Sequence, residues 1–105
     1  MTNLLMPPEK CQSMAEIRAA IDALDHDIVT LLSERMRYID AAARVKQERD
    51  TVRDEQRKAE VIAHAVEAAG QMGLPTDLAS ALYEQIVEYS IAHELKVFDA
   101  RQPRG

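Results

Sequence analysis

The sequence predicts an all-α chain of three helices, the first of them long, that pairs with a second copy of itself. Long stretches free of proline and glycine carry apolar residues at helical spacing. The composition, 47% hydrophobic and 30% charged with three glycines and one phenylalanine, suits packed helices better than sheets. With 105 residues the chain is one compact domain whose apolar surface is only partly buried alone, so a partner chain is expected.

The first helix is expected from Met14 to about Arg49, with a seam of Ile17, Ile21, Leu24, Ile28, Leu31, Tyr38, Ala42 and Val45. Ser13, followed three residues on by Glu16, has the capping-box pattern. Such a helix is about 50 Å long at 1.5 Å per residue, well beyond the radius of gyration of about 13 Å expected for so small a domain. It therefore has to lean on another chain, by antiparallel or coiled-coil packing. A second helix is expected from Asp54 to about Ala69, with a capping signal between Thr51 and Asp54 and Val61, Ile62, Ala65, Val66 and Ala69 facing inward. Gly70, Gly73 and Pro75 break the chain. A third helix, capped by Thr76 or Asp77, is expected to reach about Phe98, with Leu78, Ala79, Leu82, Ile86, Ser90 and Val97 inward. The organisation expected is a flexible segment over residues 1–12, a helical domain over 13–98 and a frayed tail over 99–105.

The formal net charge is −5 and no basic block stands out, which argues against a nucleic-acid or anionic-membrane surface. Any bound anion must then be held by a local cluster of cations. Cys11 is the sole cysteine, so an internal disulfide or a cysteine-based zinc site is excluded, and a semi-exposed thiol is its plain reading. His26, His64 and His93 show no metal-ligand spacing, and no phosphate loop or nucleophile elbow occurs. The expected chemistry needs neither metal nor cofactor. The start, Met1 to Pro8, has no basic region of a signal peptide, and no run approaches the ~20 apolar residues of a membrane span. The chain reads as a cytoplasmic protein.

Polar residues stand where apolar ones belong. Arg35 falls in the seam between Leu31 and Tyr38, and the neighbouring stripe of Val29, Leu32, Met36, Ile39 and Ala43 ends at Lys46. Arg35 and Lys46 are close to three turns apart, so they project to nearly the same side about 16 Å from each other and could bracket a small dianion. The alternative is an arginine that snorkels outward and a solvated lysine near a helix end. Arg18 lies about 25 Å from Arg35 along the axis, too far for one small ligand, so it joins the site only from another subunit. Its alternative is a surface pair with Asp22 or Asp25. In the third helix Ser90 and Glu94 are one turn apart on a stripe with Ala79, Tyr83, Ile86 and Val97, which puts a partly desolvated carboxyl group there. Arg57, one turn before Val61, is a further candidate cation whose plain reading is solvent-facing.

The runs Ala15-Glu16-Ile17-Arg18 to Asp25, Leu31-Leu32-Ser33-Glu34-Arg35 and Ala42-Ala43-Arg44-Val45-Lys46 resemble the all-α chorismate mutase family, which includes isochorismate pyruvate lyase. The likeness continues through Val52-Arg53-Asp54 and Arg57 to Leu82-Tyr83, Ser90 and Glu94, covering residues 13–98. The resemblance implies an intertwined homodimer with two sites, each completed by Arg18 of the other chain. It implies that Arg18, Arg35 and Arg57 face the carboxylates of chorismate or isochorismate, that Lys46 and Glu94 serve the ether oxygen, that Ser90 lines the ring-carboxylate end, and that Asp54 helps hold the ring hydroxyl through its backbone. The activity implied first is chorismate mutase, a pericyclic shift favoured by conformer selection and by charge stabilisation at the ether oxygen.

Two departures qualify the likeness. Glu94 stands where many relatives have glutamine, and it must carry a proton to donate to an ether oxygen. Lys58 stands where mutases of this type often carry a glutamate directed at the ring hydroxyl. The stretch around Cys11 and the Tyr38-x-x-Ala41-Ala42 segment resemble the lyase branch, while Val52-Arg53-Asp54 resembles the mutases. A rival of another class is a non-catalytic helical dimer or regulatory module whose polar seam residues fix register.

Overall fold

The computed structural model describes residues 6–101. Three helices account for most of them: α1 (Met14–Val45), α2 (Glu55–Met72) and α3 (Thr76–Arg101). Short 3-10 turns at Pro8–Lys10 and Arg49–Thr51 precede and follow α1. No strand occurs among the described residues, so the expected all-α class with three helices holds. None of their helices is long and apolar enough to cross a membrane. The flexible start and frayed tail expected from the sequence extend into residues 1–5 and 102–105, which lie outside the described residues.

The chain divides into two compact units, Met1–Arg37 and Tyr38–Gly105. In the first, Ser13 caps α1: its Oγ accepts from the Glu16 backbone N–H at 3.1 Å, and the Glu16 carboxylate reaches back to the Gln12 N–H at 2.7 Å. Two of the donors that a helix start leaves over are thereby satisfied. Along this part of α1 the seam residues Ile21, Leu24, Ile28 and Leu31 remain exposed.

The second unit holds a core of Ala43, Val52, Val87, Ile91 and Phe98, with Val61, Ile62, Leu95 and Val97 packed around it. Asp54 caps α2, its carboxylate accepting from the Arg57 N–H at 3.0 Å. Gly73 ends α2 in the left-handed conformation, with φ of 78°, where a side chain would be strained. On α3, Val87, Ile91, Glu94 and Phe98 recur at spacings of four, three and four, the period of one helical face.

Four sequence expectations shift, the first being that α2 runs to Met72 rather than about Ala69 and so keeps Gly70 inside the helix. α1 stops at Val45 rather than near Arg49, so Lys46 stands one residue past the helix, its N–H still bonded to Ala42 O. α3 runs three residues beyond Phe98, to Arg101, so the expected tail begins as helix. Leu78 and Leu82, expected to face inward, are 45% and 50% exposed. Both lie on a different side of α3 from the buried Ile91–Glu94–Phe98 stripe, and that stripe is the one the core of this unit takes up.

Candidate active site

In the second unit the end of α1 and the middle of α3 bring together two residues singled out from the sequence. The Lys46 ammonium lies 2.7 Å from Glu94 Oε2. Glu94 is 5% exposed and Lys46 is half-buried. The ammonium is the ion-pair partner of this buried oxygen. Two charges withdrawn this far from water are held as a pair, and removing either partner would leave the other buried and uncompensated. Lys46 and Glu94 are close enough to serve one acceptor atom placed beside both, with two hydrogen-bond donors when Glu94 is protonated.

Ser90, one turn before Glu94 on the same buried face, donates from Oγ to Ile86 O at 2.7 Å. Asp54 and Arg57 meet at the start of α2 through the cap. The Arg57 side chain is exposed, 3.6 Å from the Glu60 carboxylate. Arg35 and Arg18 belong to the first unit, where Arg35 is half-buried. Arg18 is exposed and makes no ion pair with Asp22 or Asp25 among the described residues.

Sequence reasoning missed several charged residues around Lys46. Arg101 donates from Nε to Ala43 O at 2.7 Å and from Nη2 to Lys46 O, with its guanidinium 4.5 Å from the Phe98 ring centroid. Arg49 makes a two-pronged pair with Asp99, at 2.8 and 3.1 Å. Hydrogen bonding within this pair pushes the Asp99 carboxyl down and the Arg49 guanidinium up from their ordinary ranges. His93 lies 2.7 Å from Asp40, another link between α3 and the last turns of α1.

Lys58 does not stand free at the departure noted above. Its ammonium is 2.7 Å from both Glu84 and Glu88, and Arg53 forks onto Glu88 from the other side. Hydrogen bonds from Arg53 and then Lys58 hold the Glu88 carboxyl at about 2. Donating to Glu84 and then to Glu88 raises the Lys58 ammonium from its ordinary range. The cluster ties the start of α2 to α3.

The family model for chorismate mutase type II matches residues 17–95, three quarters of the chain, a span that includes Arg18, Arg35, Lys46, Asp54, Arg57, Ser90 and Glu94. The chain belongs to the chorismate mutase type II family. Among its relatives is the isochorismate pyruvate lyase of Pseudomonas aeruginosa strain PAO1, 37% identical over 98 residues, which cover 93% of this chain and 95% of the relative. Chorismate mutase type II membership fits the all-α architecture and makes the chain an enzyme of this class.

Proposed function

We propose that the chain is a chorismate mutase, rearranging chorismate to prephenate. The observation that carries this reading is the buried Lys46–Glu94 pair in a chain of this family. In the reaction the ether C–O bond breaks while the methylene carbon of the enolpyruvyl group bonds to the ring, and no proton has to move. The work left to the protein is to hold the compact conformer and to support negative charge as it develops on the ether oxygen. Lys46 and protonated Glu94 donate to that oxygen. Arg35 and Arg57 take the substrate carboxylates together with Arg18 of a second copy. Ser90 lines the ring-carboxylate end, and the Asp54 backbone assists at the ring hydroxyl. A homodimer is part of the proposal, because Ile21, Leu24, Ile28 and Leu31 stay exposed in the single chain.

Two observations favour a second reading, elimination of pyruvate from isochorismate to leave salicylate. The lyase of Pseudomonas aeruginosa matches nearly end to end. Lys58, where mutases of this type often place a hydroxyl-directed glutamate, is tied up with Glu84 and Glu88. Both reactions break the same ether bond and ask the same of Lys46 and Glu94. Incubation with each substrate, followed by assay of prephenate and of salicylate, separates them. Prephenate as the faster product supports the mutase, salicylate the lyase, and neither product removes the proposal.

A further inference from the structure

α1 ends without a local cap. Lys46 and Gln47 follow Val45, so no glycine is present to turn left-handed and take up the last carbonyls. A side chain from α3 supplies what is missing: Arg101 donates to Ala43 O and to Lys46 O. A cation at this helix end is also favoured by the helix dipole.

The spacing on α3 shows what else the contact does. Glu94, Phe98 and Arg101 stand four and three residues apart and so share one face. Phe98, 4% exposed, packs in the core with Ala43 and lies under the Arg101 guanidinium. This face therefore grips Lys46 twice, its ammonium through Glu94 and its own carbonyl through Arg101.

We propose that Arg101 is a positioning residue for Lys46, fixing the backbone at the end of α1 so that the flexible lysine side chain is aimed at the Glu94 carboxyl. The proposal rests on the reading that Lys46 acts on the substrate. A lysine has many rotamers, and a frayed helix end would let its ammonium wander by an ångström or more. Misplacement on that scale lowers turnover rather than binding when the donor acts mainly in the transition state.

The test uses R101M, which keeps an apolar stem over Phe98 but no donor, and R101K, which can serve only one carbonyl at a time. For R101M, kcat is expected to fall on the order of tenfold while KM stays within about twofold. R101K should be intermediate. A second readout needs no turnover: the change in the nitrogen-15 shift of Lys46 Nζ caused by Glu94→Gln, measured with and without R101M. That response should shrink by about half or more once Arg101 is gone. A lowered melting temperature with parental kcat and an undiminished response would make Arg101 a stabilising cap only and overturn the proposal. If R101M does not fold, R101K decides, and parental values in both readouts overturn it. Should the parent convert neither chorismate nor isochorismate, the functional reading falls, and the Lys46 response alone decides the positioning role.

Discussion

The proposed role of Glu94 depends on one proton. As a carboxylate beside Lys46 it forms an ion pair, and only as the neutral acid can it donate to an ether oxygen. A Glu94→Gln amide donates without needing an added proton, so this variant should keep activity. Steady-state rates check it, and an inactive but folded Glu94→Gln would sink the role given to this residue. Lys46 and Glu94 stood out in the sequence because one closes an apolar row and the other lies within one at helical spacing, and only the family resemblance joined them. Arg101 did not stand out. Its partners are backbone carbonyls, which every residue has, and the helix that carries it was expected to stop at Phe98.

At the scale of the elements, local chemistry was easiest to read where it is self-contained. Ser13 with Glu16, Asp54 and Gly73 each mark a helix boundary through contacts within a few residues, and the structure uses all of them. Gly73 makes the clearest test. Its φ is +78°, and a Cβ built there would meet nothing within 4 Å, so the cost of Gly73→Ala is confined to the backbone. An L-residue in the left-handed region loses about 1–2 kcal/mol. Thermal or urea unfolding should show a loss of that size with helicity unchanged, and no loss would mean that the turn relaxes into another conformation. The end of α1 was misplaced for the opposite reason: the side chain that bonds its last carbonyls, Arg101 on α3, is distant in sequence. The inward face of α3 was misjudged in part for a related one. Leu78 and Leu82 look like core residues by type, but the face buried in this unit is chosen by Ala43 and Val52, which lie outside that helix.

For the whole molecule, ion pairs between elements set how the fold responds to acid. Arg53 and then Lys58 depress Glu88 to about 2 from an ordinary 4.5, and Arg49 depresses Asp99 in the same direction. A depressed folded-state value means that stability is fully present above the unfolded value and is lost as pH falls through the folded one. The melting temperature should therefore drop between about pH 4.5 and 2, modestly because these pairs face solvent. Glu88→Gln should make the drop shallower, and an unchanged slope would remove the cluster from the account. Assembly gives the sharper test of the proposed site. If each site takes Arg18 from one chain and Lys46 from the other, Arg18→Ala and Lys46→Ala are each inactive as pure homodimers. Mixing them by co-refolding places one intact Arg18 and one intact Lys46 together in one of the two sites of every mixed dimer. With random pairing, half of the dimers are mixed and half of their sites intact, so about a quarter of the parental activity should return. A site built within one chain predicts no recovery at all. A non-catalytic helical dimer predicts no parental turnover to recover, with both substitutions acting only on dimer stability, which sedimentation measures on the same samples.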